Sequence, residues 1–229
     1  MSSDKYDIEN GSELVYAVLL LAEGKADVSF LMQLMTNREI AGLHFGFPTD
    51  TTGGFGITGL GKYLGNLPAK TGFDKLKAIL VLYDNDNDPA AQFAAVRALI
   101  NPEDPYVIPG APLTLAQAEH GKKRLMFLPM PGLDTMGALE TLLLESASTG
   151  GSADALACID ELTDCAGCGN WPPSLDAKMR LRCLIAVKCQ GNSDVTLTHV
   201  WGKTGNPIDL THACFDAIAQ TIRDVVATV

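Results

Sequence analysis

The chain lacks any apolar run that could cross a bilayer: Leu14 to Ala22 is only 9 residues, against the roughly 20 a spanning helix needs. It also lacks the basic and then apolar layout of a secretory signal at Met1-Ser2-Ser3-Asp4-Lys5-Tyr6-Asp7, which places it in the cytoplasm with no membrane partner. Cations are scarce, with Lys plus Arg at 17 against Asp plus Glu at 27 and a net charge of −10. That balance excludes a surface gripping nucleic acid strongly and indiscriminately, because phosphate contacts need clustered cations; a local basic groove stays possible. Cysteine is missing from the first two thirds. All six lie at 158, 165, 168, 183, 189 and 214, and a reducing compartment favours thiols over disulfides. Cys165 and Cys168 have the inner spacing of a zinc hairpin, but no second Cys-x-x-Cys follows, and Cys183 and Cys189 point to different faces of a helix. The four histidines, at 44, 120, 199 and 212, form no pair at metal spacing, and His212 reads as structural. Repeats and low-complexity segments are absent too.

What is present suits a compact α/β protein. Hydrophobic residues at 47% and charged residues at 19% rule out a disordered chain, and 229 residues can bury one enlarged core or a core with an appended lobe. Leu14 to Ala22 predicts a strand, followed by a turn and a helix with Val28, Phe30, Leu31, Leu34 and Met35 at helical spacing. Ile40 to Phe47 predicts a second strand, Leu76 to Tyr83 a third and Leu125 to Met130 a fourth. Short helices are predicted near Lys62 to Leu67 and from Pro89 to Ile100, where Pro89 suits a first turn. Asn101 to Gly121, with four prolines, reads as a long loop. Helices follow at 137–146, 154–162, 174–187 and 211–226, with linkers at 150–152 and 167–173 and a last strand at Val195 to Trp201. Alternating strands and helices favour a mostly parallel sheet covered on both faces. The organisation expected is an α/β core over 1–146 and a mainly helical extension, 147–229, packed on it. Trp171 and Trp201 serve the core or a subunit contact, which leaves a homo-oligomer open.

The chemistry concentrates where the third strand ends, in Leu80-Val81-Leu82-Tyr83-Asp84-Asn85-Asp86-Asn87-Asp88-Pro89. Residues two apart in extended backbone point to one side, so these acids crowd together and repel, and a divalent cation held by oxygen ligands is the simplest compensation. An EF-hand is excluded, since Pro89 and Ala95 stand where its Gly and Glu belong. A solvated acidic turn is the plainer alternative, and Asp88 has a plainer role as the cap of the following helix. Glu23 ends the first strand, and ligands of parallel sheets gather outside such carboxyl ends, so two remote segments deliver acids to one edge. Asp27, one helical turn on, faces the same side as Glu23. Gly54-Phe55-Gly56-Ile57-Thr58-Gly59 matches the dinucleotide fingerprint as a string but follows the second strand rather than the first. Gly56 to Lys62 imitates a phosphate-binding loop, but Tyr63 replaces the Ser or Thr that would hold Mg²⁺, so the segment reads as a turn or substrate-side loop.

Glu23-Gly24 at one strand end and Asp84-x-Asp86 at another resemble the signature of the Toprim domain, the catalytic core of bacterial primases, type IA and type II topoisomerases and the nucleases of the OLD (overcoming lysogenisation defect) family. Glu23-Gly24-Lys25-Ala26-Asp27 and Gly137-Ala138-Leu139-Glu140 are similar to the Glu-Gly-x-x-Asp and Gly-x-x-Glu motifs of the nuclease branch, and Lys178 matches its downstream lysine. The helical stretch after Gly137 and the segment Pro207 to Asp216 also resemble small stand-alone Toprim-like proteins of unknown function. The resemblance covers residues 14–146 best. It implies a Toprim-like sheet and Mg²⁺- or Mn²⁺-dependent phosphodiester cleavage of DNA or RNA. Asp84, Asp86, Asp88, Asp27, Glu23 and Glu140 would be metal ligands, Glu23 also the acid and base, and Lys178 the group neutralising charge on phosphate. In the OLD family an ATPase accompanies this region, so a protein partner of that kind is expected to supply binding surface. A non-catalytic interaction module and a small-phosphate or nucleotide hydrolase are the alternatives.

Overall fold

A computed structural model of the chain describes residues 13–49, 56–149, 151–190 and 192–229. In chain order the elements are β1 (Val18–Leu21), α1 (Lys25–Asn37), β2 (Leu43–Gly46), α2 (Gly56–Asn66), β3 (Ala78–Asp84), α3 (Pro89–Ala98), β4 (Tyr106–Val107), β5 (Lys123–Met130), α4 (Leu139–Ser148), α5 (Ala153–Cys165), α6 (Pro173–Lys188) and α7 (Asp216–Thr228). The strands form one parallel sheet in the order β2-β1-β3-β5-β4. The fold is α/β. None of the described helices is long and apolar enough to cross a membrane.

The strands read as continuous apolar runs because the sheet is buried on both faces. Alternation sorts their side chains: Val18, Leu20, Ala78, Leu80, Leu82, Met126 and Leu128 enter one core, while Leu19, Leu21, Ile79, Val81, Tyr83, Leu125 and Phe127 enter the other. The first face is covered by α1, α4, α6 and α7, the second by α2 and α3. Phe215, Ile218, Ile222 and Val225 lie in the same core as β1 and β3, and the boundary read at 146/147 falls inside α4. β1 connects to β2 on one side, whereas β3 lies on the other. The strand order therefore reverses between β1 and β3, and the crevice outside their carboxyl ends is the ligand position of open parallel sheets.

Several boundaries depart from the sequence reading. Val195 to Trp201 is not a strand; it carries a 3-10 turn at Leu197–His199 that packs over α1. Leu197 and Val200 are three apart, a spacing that a 3-10 turn puts on one side, and the Ser29 hydroxyl donates to the Thr198 carbonyl while Trp201 Nε1 donates to Ser29 Oγ. The last helix starts at Asp216 rather than Thr211, because Asp209 Oδ1 accepts from Thr211 and His212 Nδ1 accepts from the Cys214 N–H, closing a separate 3-10 turn at Ala213–Phe215. The 101–121 loop includes the two residues of β4, whose Tyr106 hydroxyl donates to the Leu64 carbonyl. Glycines 56, 59 and 61 lie in α2 rather than forming a turn, and Gly54 and Phe55, which begin that glycine-rich motif, lie outside the described residues. A Cβ at Gly61 would sit 2.9 Å from Leu99 Cβ, so this glycine is where α2 meets the end of α3.

Phe215 is fully buried with its ring centroid 5.4 Å from that of Phe30. Phe215→Ala is expected to lower the unfolding free energy in urea by about 3–5 kcal/mol, the range for deleting a buried aromatic ring. A loss below ~1 kcal/mol would show that the tail does not share the central core.

Candidate functional site

Asp84, the last residue of β3, joins three other parts of the chain. Its backbone N–H donates to Glu23 Oε1 at 3.2 Å, its Oδ1 accepts from the Leu139 N–H at 3.0 Å, and its Oδ2 pairs with Lys178 Nζ at 2.8 Å. Glu23 follows β1, Leu139 begins α4 and Lys178 lies in the second turn of α6. Asp27 sits in the first turn of α1, where its Oδ2 accepts from the Gly24 N–H at 2.9 Å. Gly56, which opens α2, has its ideal Cβ position 3.9 Å from Glu23 Oε2. The acids thus lie at the starts of α1, α2 and α4, where helix dipoles and free amides favour negative charge.

The loop after β3 is held by its own backbone. Asp86, at φ +48°, exchanges two hydrogen bonds with Gly137, and its Oδ2 accepts from Gln92 Nε2 at 3.2 Å. Asn85 is completely buried, and its amide donates to the carbonyls of Gly132 and Thr135, tying this loop to the one after β5. Gly137 has φ +129°, and a Cβ there would fall 2.4 Å from Thr141 Oγ1, so only glycine allows this turn into α4. Glu140, in the first turn of α4, has a buried Oε2 with no hydrogen-bond partner among the described residues.

Burial and mutual repulsion shift the acids. Desolvation, then the charge of Asp84, pushes Glu23 from 4.5 to about 7. Desolvation, then Asp84, Glu140 and Glu23, pushes Asp27 from 3.8 to about 8. Glu140 is raised by burial and by Asp84. Burial pulls the Lys178 ammonium down, but the charge and hydrogen bond of Asp84, with Glu140 and Asp86 behind it, outweigh that and hold it above its ordinary range.

Of the residues singled out in the sequence, Glu23, Asp27, Asp84, Glu140 and Lys178 share one electrostatic neighbourhood, with Asp86 acting on Glu23 and Lys178. Asp88 takes its helix-capping role: its Oδ1 accepts from the Ala91 N–H at 3.0 Å. Among the described residues no three of these carboxylates bring oxygens within 4.8 Å of one another. Like charges with one ammonium among them stay apart, so a cation would have to draw them in. The donor set is nevertheless all oxygen, which suits Mg²⁺ or Mn²⁺, and the orphaned Glu140 Oε2 is an acceptor lacking its partner. Gln92, Asn85 and the neighbouring Arg182 were not apparent from sequence; for Gln92 the signal was a polar residue one turn into a helix whose start Asp88-Pro89 sets.

A separate trio, Glu145, His212 and Cys214, does bring ligand atoms within 4.8 Å. His212 Nδ1, however, accepts from the Cys214 N–H, and burial followed by the charges of Glu145 and Asp216 pushes the Cys214 thiol up to about 12. All six cysteines are free.

The model of one protein family, described as "Protein of unknown function (DUF3226)", matches residues 17–204. The chain belongs to the DUF3226 family. The matched span runs from β1 to beyond α6, so it takes in every acid of the site together with Lys178, and it stops before α7. No curated protein and no solved structure matches the chain.

The raised acids fix a pH dependence. Folded Glu23 and Asp27 bind their protons more tightly than the ordinary values of 4.5 and 3.8, so between about pH 4 and about pH 8 the folded state holds more protons than the unfolded. Unfolding free energy therefore declines as pH rises through that window. With EDTA present, the thermal midpoint is expected to fall from about pH 5 to about pH 8, and Asp27→Asn to flatten that fall and raise the midpoint at the upper end. A midpoint that rises with pH would contradict the assigned shifts.

Proposed function

We propose that this DUF3226 protein is a metal-dependent phosphodiester hydrolase acting on nucleic acid, a nuclease built on a Toprim-like core. The observation that carries the reading is the tie between Glu23, Asp84 and Lys178 at the β1/β3 switch point, since these are the acid, ligand and cation that the resemblance implies. Glu23, Asp27, Asp84, Asp86 and Glu140 would hold Mg²⁺ or Mn²⁺. Bound there, the ion supplies a Lewis acid for phosphoryl oxygens and a more acidic water.

The chain's own groups account for the rest. Glu23, whose Oε1 is held by the Asp84 N–H at the strand end, is suited to take a proton from the attacking water as its oxygen bonds to phosphorus and the P–O ester bond breaks. Lys178 stays protonated and places a positive charge beside the oxygens where negative charge grows. Asn85 and Gly137 keep Asp84 and Asp86 in place from below. The net charge of −10 opposes free association with a polyanion, so a partner carrying cations, such as an ATPase, fits this reading.

The test uses end-labelled single- and double-stranded DNA and RNA with Mg²⁺ or Mn²⁺, comparing wild type with Asp84→Asn, Glu23→Gln and Lys178→Met. Metal-dependent cleavage is expected, reduced at least about 100-fold by each substitution. Equal rates in wild type and Asp84→Asn would assign the activity to a contaminant, and absence of both cleavage and calorimetric metal binding would overturn the reading in favour of an interaction module.

A further inference from the structure

Next to the acids lies a cleft of about 360 Å³, a volume at the small-molecule end of ligand sites. Glu140 and Lys178 belong both to its wall and to the acid cluster, so cleft and cluster are continuous. One wall is the face of α6 that presents Lys178, Leu181, Arg182 and Ile185, spaced i, i+3, i+4 and i+7, about 10 Å of helix. The facing wall is the segment 193–198, which offers the hydroxyls of Ser193, Thr196 and Thr198 beside the apolar Val195 and Leu197. The lining thus mixes polar and apolar groups.

Arg182 is exposed in this wall and makes no hydrogen bond or ion pair with a described residue, unlike Arg180, which is paired with Asp160 and Asp176, and Lys178, which is paired with Asp84. A free guanidinium one turn from Lys178 is suited to a phosphate, which it can hold by two parallel N–H donors. A cleft of about 360 Å³ is the size that encloses one small ligand, so it admits a single unpaired nucleotide and not a base-paired duplex. The partly buried Val195 and Leu197 offer the base an apolar contact that carries no sequence preference.

From this we infer that the cleft seats one unpaired nucleotide of a single strand, with Arg182 as the positioning residue for its phosphate. The inference rests on the nuclease reading and names its substrate class as single-stranded nucleic acid. The charges in the cleft make a second demand. Glu140 and Asp194 line the cleft with Lys178 and Arg182, and Lys178 already pairs with Asp84, so without a cation the cleft attracts a phosphate weakly. A divalent cation on the neighbouring acids cancels part of the negative charge that a phosphate would otherwise meet. Strand and cation therefore bind with positive coupling, and by linkage each raises the affinity of the other by the same factor.

The experiment measures binding rather than turnover, by fluorescence anisotropy of labelled short single strands of DNA and of RNA and of the corresponding duplex, with Ca²⁺ or EDTA. Single strands are expected to bind at least about tenfold tighter than duplex, and Ca²⁺ to strengthen them at least about fivefold. Arg182→Ala should weaken the single strand about tenfold, Arg182→Lys less, and Arg97→Ala, which removes the same charge from α3, hardly at all. A mononucleotide in excess should displace the strand. Duplex binding as tight as single strand, equal effects of Arg182→Ala and Arg97→Ala, or no displacement by a mononucleotide would each overturn the inference. Metal-dependent cleavage beside an unchanged Arg182→Ala affinity removes the cleft and leaves the nuclease reading intact. Selective, Arg182-dependent strand binding without cleavage in any metal does the reverse.

Discussion

The pairing of Lys178 with Asp84 is the contact on which the site depends. The charge of Asp84 raises Glu23, Asp27 and Glu140, and the Lys178 ammonium beside it opposes that rise at Glu23 and Glu140. In a half-buried setting, taking away one partner of such a pair leaves an uncompensated charge, a larger effect than the net worth of the pair itself. Lys178 has side-chain exposure of 35% and Asp84 of 14%, so the carboxylate is the member that relies on the pair. Because Lys178 belongs to α6, the C-terminal helices are part of the site.

That pairing also explains why the acids stay spread. One ammonium satisfies one oxygen of Asp84, the first amide of α4 satisfies the other, and nothing comparable reaches Glu140 Oε2. The arrangement is rigid where backbone holds it, through Asn85, Gly137 and the ends of β1 and β3, and under-neutralised where side chains meet. Rigid placement of repelling groups raises the free energy of the folded state, and the two buried cores on either face of the sheet offset it. Under the proposed function, a cation held there would relieve a repulsion already present.

The strands were legible because burial on both faces makes them apolar throughout, and the helices because their apolar residues recur at helical spacing, as in Val28, Leu31, Leu34 and Met35. Asp84 and Glu23 were legible for a related reason: an apolar run that stops at an acid puts that acid at the sheet edge. Where propensity and packing disagree, the reading failed. Val195 to Trp201 has strand-like composition, yet its partners Ser29 and Phe30 belong to α1, a helix lying over the sheet, so no strand edge was open to it. Glycines 56, 59 and 61 look like turn residues, yet α3 approaches Gly61 so closely that a side chain there would collide.

Helix α6 shows why the rest of the site could not be read from sequence. Three of its four cations, Lys178, Arg180 and Arg182, alternate along a helix whose buried apolar residues are Ala177, Leu181, Leu184 and Ile185. Locally only Asp176, four residues before Arg180, separates them, and each takes its role chiefly from whatever packs opposite. Arg180 turns to Asp160 of α5, Lys178 reaches a carboxylate 94 residues earlier in the chain, and Arg182 faces the 193–198 segment. The docking of α6 against α4 and α5 sets those destinations, so a charge pattern with no evident order in the sequence becomes one structural pair, one pair at the site and one free guanidinium. The same docking places the free one a single turn from the paired lysine, which joins the acids to the cleft.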